Sequence, residues 1–337
     1  MIDRHKYRIL LLSTGMALLL LVIAALCMGR YSMNPVDVLR VVYERIIGAS
    51  TNDAMDVVLF RIRLPRVVAS LLIGAALSLS GAAYQSTFRN PLISPDLLGV
   101  SSGASMGAVI AIYFGISFHA VPVFAFAGGI LAVLMATSLP KLLRNSSNMM
   151  LVLSGIIVSG LMNSIIGVIK MISREQDQLA AIVFWQMGSL TRVSYTQLVI
   201  VSPVILICIV IMILVSWRLN ILSFGEQEAQ TVGVNVKALR WVAIACASLL
   251  TANAVSISGT IGWIGLVIPH FGRLICGSDN TKLMPMTVLL GGAFLLIIDT
   301  IARVATSFEI PLSILSGLVG APFYAWLLYR QKAKILT

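Results

Sequence analysis

Residues 97–140 run for 44 positions without a single Asp, Glu, Lys or Arg. A helix needs about 20 apolar residues to cross the hydrocarbon core of a bilayer, so this run makes two crossings, broken near Gly115, His119 and Pro122. Further charge-free runs cover 9–29, 67–88, 145–169, 193–217, 241–272, 283–298 and 310–329. The run 241–272 breaks at Ser258-Gly259-Thr260 and makes two crossings, one of them short. The expectation is an all-α polytopic membrane protein of ten spans, forming a single transmembrane domain over 1–337. Only 11% of the chain is charged, against roughly 25% in ordinary soluble domains, which excludes a soluble fold.

The first run follows Arg4, Lys6 and Arg8. It is longer than a signal-peptide core and reaches Arg30 without a small-residue cleavage site, so it reads as span one. Ten spans place both termini on one side. With cytoplasmic termini, that side carries 14 of the 24 Lys and Arg, including the clusters Arg4/Lys6/Arg8, Lys141/Arg144 and Arg330/Lys332/Lys334. Lys and Arg concentrate in cytoplasmic loops, so the net charge of +11 marks topology and requires no nucleic acid. Two outer segments remain. Residues 30–65 balance acids and bases around Asn34-Pro35 and Gly48 and form a structured surface connection. Residues 178–191 suit an interfacial or re-entrant helix, too short to cross.

At an offset of 178 residues, Ala76, Ser78, Ser80, Gly81, Pro91 and Gly99 match Ala254, Ser256, Ser258, Gly259, Pro269 and Gly277. The copies begin an odd number of crossings apart. A weak inverted repeat follows, with halves of about 66–175 and 241–330, and inverted repeats are common in transporters.

Several motifs carry a physical reading. Gly99, Gly103 and Gly107 recur every four residues, where missing side chains let another helix approach; Ser94-Pro95-Asp96 precedes them as a helix start. Ser159 and Asn163 share a face of span five, and a buried Asn there either faces a watery pathway or bonds another helix. In the loop 218–240, Ser223-Phe224-Gly225-Glu226 reads as a capping box opening a short helix through Gln227, Glu228 and Gln230, stopped by Gly233. It suits either a docking surface or a merely solvated loop. Arg61, Arg63 and Arg66 cluster at the outer mouth of span two, against the usual bias, so something external pairs with them. Arg303 follows Asp299 by four residues and has an ion pair within its own helix as the alternative.

Chemistry is absent from the sequence. There is no G-x-x-x-x-G-K-[ST], H-E-x-x-H or G-x-S-x-G. Cys27, Cys208, Cys246 and Cys276 form no C-x-x-C pair, and His5, His119 and His270 are scattered, so no catalytic or metal site is expected.

The stretches Arg63-Leu64-Pro65-Arg66, Gly74-Ala75-Ala76-Leu77, Asn90-Pro91-Leu92, Pro95 to Val100 and Ser102-Gly103-Ala104 strongly resemble the permease family of bacterial iron-siderophore, haem and cobalamin ABC importers. So do Ile264 to His270 with Arg273, Asp299 to Arg303, and Gly320-Ala321-Pro322. The resemblance implies a dimer of ten-span subunits in the bacterial inner membrane, a homodimer by default. It adds two ATP-binding subunits that hold ATP and Mg, and a soluble substrate-binding protein. This chain would bind no cofactor itself. It further implies that Arg63, Arg66 and Arg303 meet acids on the binding protein, and that the helix from Gly225 to Gly233 docks on the ATPase. The turn Asn145-Ser146-Ser147-Asn148 and span five with Ser159 and Asn163 occupy the place of the gate and pathway wall. The rival is a secondary transporter driven by an ion gradient, which usually carries ionisable groups at the midplane; an intramembrane enzyme or sensor is a second. These runs have no mid-span Asp or Glu.

Overall fold

Thirteen helices follow one another in the computed structural model, which describes residues 3–48, 54–144, 147–173, 176–306 and 308–335. They are α1 (Arg4–Cys27), α2 (Pro35–Ile46), α3 (Ala54–Thr87), α4 (Val100–Tyr113), α5 (Val121–Leu142), α6 (Asn148–Ile172), α7 (Gln176–Met187), α8 (Tyr195–Phe224), α9 (Glu226–Thr231), α10 (Val236–Ser258), α11 (Ile264–Cys276), α12 (Asn280–Val304) and α13 (Leu312–Ile335). Seven are long and apolar enough to span a bilayer, namely α1, α3, α5, α6, α8, α10 and α12; α4, α11 and α13 contribute shorter apolar stretches. Together they match the ten expected crossings. The 44-residue run divides between Tyr113 and Val121, and the 32-residue run between Ser258 and Ile264.

Tertiary pairs identify the two ends. At one, Arg66 meets Asp299 and Glu309, the Leu312 N–H donates to the Gly188 carbonyl, and the Ser189 N–H to that of Ser258. At the other, the Tyr7 hydroxyl donates to the Lys282 carbonyl and the Asn220 amide to Asp279. The first is the arginine end and the second the α9 end. α1 starts at the α9 end, and α13 leaves the arginine end toward it.

α3 is the axis. In its most apolar stretch 83% of residues are buried, against 6% in α1. Small residues make this possible, since helices in lipid associate through close backbone packing and hydrogen bonds. A Cβ added at Gly74 would fall 2.2 Å from the Gly291 carbonyl oxygen of α12, and one at Gly81 1.8 Å from that of Gly265 in α11. Ser78 donates to the Thr287 carbonyl (2.8 Å), Ser80 pairs with Thr251 (2.7 Å), and the Tyr84 hydroxyl pairs with Ser248 (2.7 Å). These bonds satisfy polar groups that would otherwise be stranded in an apolar medium.

The order long, short, long, long occurs twice, in α3 to α6 and again in α10 to α13. α3 starts at the arginine end and α10 at the α9 end, so the second set is inverted. The 178-residue register is off. It pairs Ser80-Gly81, inside α3, with Ser258-Gly259, at the end of α10. The starts Val100 and Ile264, and Asn148 and Leu312, share a shorter spacing.

Candidate functional site

The arginine end begins with a local irregularity. Val57–Arg63 is π-helical, and Pro65, which has no N–H to donate, follows at the start of the regular helix. Arg63 turns back into the protein and donates to the carbonyls of Leu26 (2.5 Å), Cys27 (3.0 Å) and Tyr31. Those carbonyls lie in or just beyond the last turn of α1, where a cation is favoured by the helix dipole.

Arg66, one turn on, donates from Nε to Asp299 Oδ1 at 2.7 Å and from Nη1 to Glu309 Oε1 at 2.8 Å. Asp299 also pairs with Arg303 at 3.3 Å and is wholly buried. Arg303 Nη2 donates to the Ala25 carbonyl at 3.3 Å. Arg63, Arg66 and Arg303 are thus brought together, yet they are only 3%, 4% and 8% exposed and bonded within their own chain. The internal ion pair is formed. Of the other basic residues at this end, Arg61 and Arg30 are exposed, Arg30 donating to the Thr306 carbonyl.

Glu309 is the residue the sequence reading missed. It lies in the connection between α12 and α13, accepts from Arg66 on one oxygen and from the Thr191 hydroxyl on the other at 2.5 Å. It therefore ties α3 to the loop that follows α7. Burial pushes its carboxyl up, but the Arg66 and Thr191 hydrogen bonds and the Arg66 charge outweigh that and hold it below the ordinary range. A depressed pKa means the contact is in force above the usual glutamate value of about 4.3 and is lost as pH falls through the lower folded value. A cavity of about 330 Å³ opens beside it, lined by Phe118, Phe184, Trp185 and Gln197 among others.

At the opposite end, α9 departs from the expected cap. α8 continues through Phe224, so Ser223 sits in its last turn and donates to the Asn220 carbonyl. Gly225, at φ +149°, becomes the N-cap of α9, and no capping box forms. Glu226 pairs instead with Arg240 of α10. Gly233 does terminate the helix: at φ +83° it donates to the Gln230 carbonyl while the Val234 N–H donates to Ala229, a Schellman arrangement. Ala229 is buried, and Gln227, Glu228 and Gln230 are exposed.

Along α6, Ser147 is the N-cap and accepts from the Met150 N–H at 3.2 Å. Asn145, Ser146 and the side chain of Asn148 lie outside the described residues. Asn163 is exposed and bonds no neighbouring helix among the described residues, whereas Ser159 packs beside Gly99. Gly103 and Gly107 meet α5, a Cβ at either falling 2.4 Å and 2.1 Å from the carbonyl oxygens of Gly128 and Phe124. Gly99 does not share that face. It precedes α4 at φ +74°, a left-handed conformation that suits glycine. Among the described residues no cluster of His, Cys, Asp and Glu could hold a metal.

Comparison with known proteins covers nearly the whole chain. Residues 17–330 match the model described as the FecCD transport family. The chain is 38% identical to the molybdate import system permease protein MolB of Haemophilus influenzae, over 94% of this chain and 95% of that protein. It is 40% identical to a probable iron chelatin transport system permease protein of Helicobacter pylori, over 83% and 85%. A solved structure described as an inward-facing conformation of a putative metal-chelate type ABC transporter superposes with a TM-score of 0.86 at 36% identity, covering 95% of this chain and 99% of that one.

Proposed function

Because the chain belongs to the FecCD transport family, we propose that it is the membrane-spanning permease subunit of an ATP-driven importer for a metal chelate of the iron-siderophore, haem or cobalamin type. The chain does no covalent chemistry in this reading; ATP and Mg belong to two separate ATP-binding subunits, and a second permease copy completes the pathway. The α9 end and both termini face the cytoplasm of a bacterial inner membrane, in keeping with the placement of Lys and Arg. The arginine end receives a soluble binding protein. The observation that carries the reading is the exposed helix α9, held rigidly between α8 and α10 by the Schellman turn and the Glu226–Arg240 pair, at the end opposite the arginines. A short element braced in this way can transmit a push, and coupling requires contacts that differ between two states.

Glu228→Lys tests it, since Glu228 is exposed whereas Glu226 braces the fold. In the reconstituted complex, uptake is expected to fall about tenfold or more, the equivalent of losing roughly 1.4 kcal/mol of coupling, while the complex keeps ATPase activity. Unchanged uptake would remove α9 from the coupling path. Purification from the native membrane should yield two permease and two nucleotide-binding chains. A metal oxyanion is the second cargo reading, favoured by the similarity to the Haemophilus protein named for molybdate. Uptake of radiolabelled molybdate against a ferric chelate separates the two.

A further inference from the structure

The connection between α1 and α3 contains a helix whose surface does not suit water. In α2, Val38 and Val41 are buried against Leu59, packed together with Leu26 and Cys27 at the end of α1 and with Met55 and Phe60 of α3. That accounts for one side. Val36, Leu39, Tyr43, Ile46 and Ile47 lie on another side and are between 56% and 77% exposed. At 3.6 residues per turn these five fall within one arc of about 100°. The remaining arc is polar: Arg40 pairs with Glu44 at 2.7 Å, and Asp37 accepts from the Asn34 N–H at 2.9 Å. The helix therefore has three sides, one against the protein, one apolar and open, and one charged.

We infer that α2 lies in the interface of the leaflet at the arginine end, with the Val36, Leu39, Tyr43, Ile46 side inserted at the boundary of phospholipid headgroups and acyl chains. A helix with an apolar face beside a charged face, too short to cross, is the form that settles in that plane. Its position supports this occupant over a protein partner. α2 is seated on the last turn of α1, the least buried of the long spans, whose Leu12, Met16, Leu19, Leu20 and Ile23 are exposed along its length. The open side of α2 therefore lies at the level where α1 ends, beside a span that is itself largely uncovered. Tyr43 has an apolar ring and a polar tip, the combination enriched at membrane interfaces. The seat has a purpose for the site nearby. Arg63 donates to the carbonyls of Leu26 and Cys27 in the last turn of α1 and of Tyr31 in the segment that joins α1 to α2. Holding α2 in the leaflet fixes the depth of the arginine cluster relative to the membrane surface.

The test is quenching of a fluorophore attached to the full-length chain in phosphatidylethanolamine and phosphatidylglycerol vesicles. Leu39→Cys, Ile46→Cys and Glu44→Cys are each labelled with bimane, and the unsubstituted chain is labelled in parallel to subtract its native thiols. Leu39 and Ile46 are exposed and Glu44 is half-buried beside Arg40, so none of the three is a core position and folding is preserved. A nitroxide near the headgroup end of a lipid chain is expected to quench positions 39 and 46 about threefold more than position 44, with aqueous iodide showing the opposite order. Equal quenching of all three by iodide would overturn the assignment by placing the apolar side in water. Protection of positions 39 and 46 from both quenchers would overturn it in favour of a second permease copy or the binding protein. The result is independent of cargo and of ATP, so it stands or falls apart from the transport reading.

Discussion

Asp299→Ala is expected to cost the folded chain about 3–5 kcal/mol, the range found when one partner of a buried ion pair is removed. Asp299 is wholly buried and, among the described residues, is the one carboxylate that pairs with both Arg66 and Arg303. Without it Arg303 keeps the Ala25 carbonyl and Thr300 but loses its paired carboxylate, and Arg66 keeps Glu309. Two guanidinium groups then repel each other in a space closed to water. Thermal unfolding in detergent should show a midpoint lowered by about 5 °C or more. The double variant Asp299→Ala/Arg303→Met tests the cause, because removing the stranded cation should restore part of the loss. A single variant with an unchanged midpoint would mean that water reaches the cluster. A double variant no better than the single would mean that the loss is one of packing.

Gly81→Val should be as damaging for a different reason. The nearest atoms to an added Cβ are the carbonyl oxygen, carbonyl carbon and Cα of Gly265, at 1.8, 2.6 and 2.8 Å. These are backbone atoms of α11 and cannot rotate aside as a side chain does. Accommodating valine requires the two helices to part, which also pulls on the bonds of Ser80 and Tyr84 to α10. Overpacking a well-filled core typically costs about 1–3 kcal/mol, and a rigid backbone on the far side puts this position at or beyond the top of that range. The control is Gly15→Ala on α1, where nothing lies within 4 Å; its yield and thermal midpoint should match the unsubstituted chain. A Gly81→Val chain that purified equally well would show that α3 and α11 slide readily.

The contrast between these sites indicates what a single sequence can disclose. Charge-free runs report directly on crossings because lipid tolerates few charges, so the divisions near Gly115 and Ser258 and the short helix α7 were all legible. Gly103 and Gly107 were legible too, since a period of four residues is a property of one helix. The three arginines were found, but not their direction: Arg66 meets Asp299 across 233 positions and Glu309 across 243, and nothing local encodes such a pairing. The capping box at Ser223 failed because α8 runs about two turns further than its charges suggest, leaving Gly225 to start α9. The repeat register failed because small residues recur wherever helices touch, and Ser-x-Ser-Gly occurs inside α3 and at the end of α10. α2 was visible as a structured connection, while its open apolar side required knowing which residues α1 and α3 cover.

Arg63, Arg66 and Arg303 have already exchanged water for carbonyls and carboxylates of their own chain, and this bears on the speed of docking more than on its duration. An acidic partner would sense them together with the exposed Arg30 and Arg61 as a positive field reaching out from the surface. Such a field accelerates encounter and decays over about 8 Å at physiological ionic strength. Added salt should therefore slow association with the binding protein steeply while leaving dissociation nearly constant, because the short-range contacts that hold the complex would come from other residues.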